Sequence, residues 1–260
     1  MEKVRLGGMA LANGVLVHGP TAWGCAVRLP DGTIKAASGK KRRFAPRVQL
    51  PLIRGPLRLA EAFALLPDVR RGLPEAQLPF QRPAVITAAV AASLVGGAAR
   101  RSRLPLGARE LVASIASIVP AVVALRGGEL AQYHGAEHVS IGTYEQDGER
   151  APKEHDRCGS HLVGPLLLTS AAASAVAAAV PRRARPAARI AGAVGALGAS
   201  VEIFGWMTRH PERRIAQALA RPGHVLQQRV STAEPTPVQL EVAEAALAAC
   251  LAAEPEPTAA

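Results

Sequence analysis

Between Gln132 and His161 the sequence gathers four of its seven histidines, His134, His138, His155 and His161, together with Glu137 and Cys158. His134 and His138 are four residues apart, so on a helix both imidazoles share a face, one turn apart. Two imidazoles so placed can hold one divalent ion. The order His134-x-x-Glu137-His138 is the inverted form of the His/Glu pattern of zinc peptidases. Glu137 then takes the place of a catalytic base acting on water. His155 and Cys158 form a second ligand-like pair. With His134 and His138 they would close a four-ligand, structural site, leaving Glu137 outside it. Three ligands and an open position would instead make a catalytic site, with Glu202 or Glu145 as alternative third ligands. Imidazole and thiolate suit zinc or a similar divalent ion, which is the expected cofactor. A polar cluster that only hydrogen-bonds, without metal, is the remaining reading. A serine nucleophile has no supporting signature, and Gly192, Gly195 and Gly198 are spaced for close helix packing rather than for a nucleotide phosphate.

The elements around this stretch predict how it is held. Residues 9–38 read as β-structure: apolar runs at Met9–Val17, Trp23–Leu29 and Thr33–Ala37, with a turn at Pro30-Asp31-Gly32. Leu57, Leu59, Ala60, Phe63 and Leu66 give one apolar helix face. Pro67 ends that pattern, and residues 67–83 read as a proline-rich linker. Four apolar stretches follow, at Ala84–Ala99, Leu104–Leu125, Leu162–Val180 and Ala187–Met207. A membrane span needs about 20 mostly apolar residues. The third meets this without a charge; the others are shorter, alanine-rich or interrupted. Tight turns at Arg100–Arg103 and Pro181–Pro186 pair them into two hairpins.

The expected fold is therefore mainly α: a polytopic membrane protein with about four transmembrane helices and a small N-terminal β-hairpin module. Its parts are a β/α module (1–66), the linker (67–83), transmembrane hairpin one (84–125), the polar His/Glu/Cys region (126–161), transmembrane hairpin two (162–207) and a C-terminal tail with a helix (208–260). Threaded this way, the module, the polar region and the tail share one membrane face. Glu202 lies on the order of 8 Å inside that face at 1.5 Å per residue, within reach of the histidines, whereas Glu110 sits near the opposite face. A soluble alanine-rich bundle is the competing architecture. The tail helix is expected over Val238–Ala253, entered from Pro235-Thr236-Pro237.

Charge narrows the partners. The net charge is +11 over 260 residues. Residues 1–83 carry 14 Lys and Arg against 5 Asp and Glu, while the remainder is nearly balanced. The lipid bilayer is the expected partner, with anionic lipid a candidate contact for the basic run Lys40–Arg43. No aromatic interleaving accompanies the charge, so no nucleic-acid partner is expected. Cys25, Cys158 and Cys250 are too far apart in sequence to read as a disulfide framework. The N-terminus has no apolar core of signal-peptide length.

Tyr133-His134-Gly135-Ala136-Glu137-His138, Tyr144-Glu145 and Arg157-Cys158-Gly159 resemble the bacterial YqhQ-like family. The likeness extends to Gly7-Gly8 through Gly19-Pro20, to Arg54-Gly55, to Ser200-Val201-Glu202, and to Pro222-Gly223 with Leu226-Gln227. That family is one of membrane proteins of unknown function described as predicted metal-dependent enzymes. Asp156 stands where the family has proline, Val139 where it has lysine, and His161 where it has an apolar or aromatic residue. The resemblance strengthens the reading of a multi-pass protein of the inner or plasma membrane and the grouping of these residues into a metal site, while the absent signal peptide and the bulk of positive charge favour a cytoplasmic polar face. A metal-dependent enzyme, possible hydrolase chemistry included, is the first functional expectation. A membrane scaffold or assembly factor with a structural metal or polar cluster is the second.

Overall fold

A computed structural model describes residues 3–44, 48–125 and 128–255. Four antiparallel strands open the chain: β1 (Gly7–Leu11), β2 (Gly14–His18), β3 (Ala22–Arg28) and β4 (Ile34–Lys40), in the order β1-β2-β3-β4. The apolar run expected at Met9–Val17 is two strands. Ala12 and Asn13 form the turn between them, and the Asn13 side chain is fixed by the Glu75 carbonyl and the Gln77 N–H.

Both faces of this sheet are covered. On one, Val15, Val17 and Ala26 pack with Leu130, Tyr133 and Ala136 of α5 (Gly128–Glu145) and with Val242, Ala243 and Ala246 of α9 (Pro237–Ala253). Gly24 is where α9 comes closest: a Cβ there would run into the backbone at Ala246 and Cys250. Thr236 caps α9 through a reciprocal pairing with Gln239, with Pro237 in the first turn. At its far end, Glu254 accepts the N–H groups of Thr21 and Ala22, both at 2.8 Å, which ties α9 to the start of β3.

The other face carries Leu11, Leu16, Trp23, Cys25 and Val27. These pack against Leu65, Leu66, Val69, Leu73, Ala76 and Leu78. The stretch read as a linker is thus a packed layer. It follows α1 (Arg54–Phe63) and contains α2 (Leu66–Gly72). Pro67 starts α2 instead of breaking a helix, because the first turn needs no backbone donor at that position.

Four helices are long and apolar enough to cross a membrane: α3 (Pro83–Arg101), α4 (Leu106–Leu125), α6 (Val163–Ala179, extended by a 3₁₀ turn from Gly159) and α7 (Arg185–Arg209). They pack as two hairpins, α3 on α4 and α6 on α7, with α4 also touching α6. Thr169 of α6 donates to the Ala196 carbonyl of α7 at 3.0 Å, and Gly192 comes close to Ala173. Glu110 meets Ser174 at 3.0 Å and Arg100 at 3.5 Å, so its charge is partnered between the helices. Leu94, Val176 and Ile190 project outward, 68%, 68% and 70% exposed. A short α8 (Arg214–Leu226) and a π-helical turn (Gln227–Ser231) lead from α7 to α9. The fold is mainly helical, with two apolar hairpins and a small antiparallel sheet.

Candidate metal centre

α5 is buried along most of its length. Leu130, Tyr133 and Ala136 face the sheet and α9, which leaves His134, Glu137 and His138 facing away from that core, at i, i+3 and i+4. The helix forms despite Gly135 because the glycine is needed there. A Cβ would collide with the Ala233 carbonyl oxygen, and Ala233 is bonded through its N–H to the Ala131 carbonyl at 2.9 Å.

Each histidine is oriented by a backbone carbonyl. His134 Nδ1 lies 2.7 Å from the Ser231 oxygen and His138 Nδ1 lies 2.7 Å from the Lys153 oxygen. A carbonyl only accepts, so both Nδ1 atoms carry the proton and both Nε2 atoms are left as acceptors. The π-helical turn supplies the first carbonyl; it is closed by the Thr232 N–H on the Gln227 carbonyl at 3.2 Å. A π-turn puts a carbonyl where a regular turn does not, and such turns recur at functional sites.

Cys158 completes the group. Its Sγ lies 3.5 Å from His134 Nε2, and one ligand atom each from His134, His138 and Cys158 fall within 4.8 Å of one another. Burial drives His138 down to about 2, with His134 adding to the effect, so its imidazole is neutral. Burial also raises the Cys158 thiol and lifts Glu137 to about 7; His134 opposes the latter shift. The Glu137 side chain has no hydrogen bond among the described residues and lines a cavity of about 500 Å³. Gly8 lies over it, and a Cβ there would occupy the place of the carboxylate. The donor set fits a divalent ion. Two imidazoles with carbonyl-fixed rings and one thiol lie close together, the arrangement that metal-binding histidines generally require.

The structure does not bring the other candidates into this group. His155 is beside it, its ring 5.6 Å from that of His138, but both of its nitrogens are engaged. Nδ1 accepts the Arg157 N–H at 3.2 Å, and Nε2 donates to Glu145 at 3.3 Å. Glu145 itself is held by His155 and Arg157. Glu202 forms a two-pronged pair with Arg54, at 2.7 and 2.5 Å, which joins α7 to α1. The distance along the membrane helix was compatible with the cluster, but the side chain turns to Arg54. His161 falls in a second group, with Asp156 and His224. Its Nε2 accepts from Gln227, whose amide also brackets the His155 backbone through N–H and carbonyl. Gln227 and Gly8 stood out in the sequence only through the family resemblance. The carbonyls of Ser231 and Lys153 carry no side-chain signal at all.

A family model described as "Protein of unknown function (DUF1385)" matches residues 128–253. No curated protein and no solved structure matches the chain. The matched stretch runs from α5 through α9 and contains His134, Glu137, His138, Cys158 and both carbonyls that orient the histidines. Residues 128–253 are thus similar to that family of proteins of unknown function, with which the YqhQ-like resemblance is consistent.

Proposed function

We propose that the protein is a metal-dependent hydrolase whose centre lies at the cytoplasmic surface of the cell membrane. The observation that carries this reading is the pair of Nδ1–carbonyl bonds, which leave two Nε2 atoms as acceptors in a group whose ligand atoms, with the Cys158 thiol, lie within 4.8 Å of one another. His134, His138 and Cys158 would hold the ion, zinc by the chemistry of the donors. Bound there, it supplies Lewis acidity beside the cavity. Glu137 does the proton work. Its unbonded carboxylate takes a proton from water as the water oxygen attacks the substrate, and returns it to the leaving oxygen as the bond breaks. Gly8 keeps the space above that carboxylate open. His155, Glu145 and Arg157 hold the loop that presents Cys158. A scaffold would need the ion only to join α5 to the 153–158 loop, and would have no use for an unbonded carboxylate facing a cavity.

Elemental analysis of detergent-purified protein tests this. About one divalent ion per chain is expected, lost in His134→Ala and His138→Ala. Glu137→Gln should keep the ion and the fold and abolish function in cells that lack the chromosomal copy. If Glu137→Gln is silent while His134→Ala lowers thermal stability sharply, the site is structural. Absence of metal from protein purified without chelators, with His134→Ala stable and functional, would falsify the metal site.

A further inference from the structure

The cavity in front of Glu137 is mostly apolar. Met9, Leu59, Phe63, Phe80 and Leu125 contribute to its walls, together with the polar cluster. Two of these residues lie at or next to the ends of candidate membrane spans. Leu125 is the last residue of α4, and Phe80 precedes α3 by three positions. Phe63 and Phe80 are 48% and 41% exposed, so two aromatic side chains line the cavity while staying open to the outside, Phe80 next to the start of a candidate span. A water-soluble substrate would gain nothing from such a wall, whereas an acyl chain from the bilayer would.

Beside this cavity is a second recess of about 370 Å³, which shares Leu6, Gly7 and His18 with it. Arg5, Lys41, Arg43 and Arg58 line it. Among the described residues, Arg5, Arg43 and Arg58 make no ion pair. The one carboxylate in the lining, Glu61, accepts the Phe44 N–H at 2.5 Å. An apolar chamber lined by the ends of candidate spans and a basic recess that shares three of its residues fit the two ends of one kind of molecule.

We propose that the substrate is an anionic membrane phospholipid, its acyl chain along Phe63, Phe80 and Leu125 and its phosphate on Arg5, Arg43 and Arg58. This rests on the hydrolase reading for what happens to the lipid, but not for its binding. The bond cleaved is an ester near the headgroup: water adds its oxygen to the carbonyl or phosphorus, and the displaced alcohol leaves with the proton passed by Glu137.

The test uses full-length protein in nanodiscs, with photoactivatable phosphatidylglycerol or phosphatidylcholine carrying a diazirine in the acyl chain. Phosphatidylglycerol should label Phe63, Phe80 or Leu125 in preference to phosphatidylcholine. Arg5→Gln, Arg43→Gln and Arg58→Gln combined should cut that preference by at least about fivefold, the typical effect of one basic residue at an anionic surface. Leu59→Trp, which narrows the chamber and leaves the arginines in place, should reduce labelling by both lipids. Equal labelling by the two lipids, or labels confined to the outer faces of α3, α6 and α7, would overturn the proposal. So would displacement of the label by inorganic phosphate alone, which would make a free phosphate the ligand. Metal content is measured on the same samples. Selective labelling of protein without metal supports the lipid site and counts against the hydrolase; metal without cavity labelling does the reverse.

Discussion

Gly135 sits mid-helix, where replacement by alanine ordinarily gains about 1 kcal/mol. Here the new methyl group would meet the Ala233 carbonyl, and such overpacking costs roughly 1–3 kcal/mol. Gly135→Ala should therefore lower the melting temperature of the detergent-solubilised protein; a raised value would mean that residues 231–235 yield easily. His18 gives a second expectation. Burial first, and Lys41 next, lower it to about 4 from 6.5, against the opposing pull of the Gly19 backbone, Glu61 and Glu254. The unfolded chain then binds the proton first as pH falls. The stability that His18 contributes is complete above about 6.5 and is lost on the way down to about 4, a change of roughly 3 kcal/mol. Thermal melts across that window should show a shallower acid limb in His18→Gln. At this scale the sequence was informative about residue types. The spacing of His134, Glu137 and His138 defined a helix face, and Cys158 belonged with them. It was silent on the tautomers, because these depend on backbone oxygens nearly 100 residues away in one case. It paired His155 with Cys158 as ligands, because spacing does not show that the neighbouring Arg157 N–H takes the His155 lone pair.

The two-pronged contact between Arg54 and Glu202 is what docks α1 onto α7. It is reinforced by two close approaches, Gly198 against the Leu52 carbonyl and Gly55 against Val201. Glu202→Gln should leave metal content unchanged and make residues 50–58 more susceptible to trypsin. Loss of metal in that variant would return Glu202 to the centre. Helix rise alone gives the depth of Glu202 but not its direction, and the direction is set by a partner 148 residues away. The proline-rich stretch was hidden for a related reason. Its prolines read as breaks, whereas Leu66, Val69, Leu73 and Leu78 carry the buried surface against the sheet. The apolar hairpins were legible because length and composition alone define a candidate span.

Across the whole molecule, the apolar faces of α3, α4, α6 and α7 need a cover that the protein does not provide: Ile86, Val90, Leu94, Ile115, Val176 and Ile190 all point outward. The protein should sediment with membranes and resist carbonate extraction. Recovery of most of it in the soluble fraction without detergent would contradict this. Cysteines introduced at Ser102, in the turn between α3 and α4, and at Glu234, before α9, should react with an impermeant reagent from opposite sides. The packing of α9 against β3 also imposes an order in time. One face of the sheet is covered by α5 and α9, and roughly 200 residues separate β3 from α9, which at typical rates takes about 10–40 s to translate. Throughout that interval both apolar hairpins are made while Val15, Val17 and Ala26 wait without their final neighbour. A chain stopped before Pro237 leaves that face of the sheet without α9, and should be cleared faster by proteolysis in cells than the full chain.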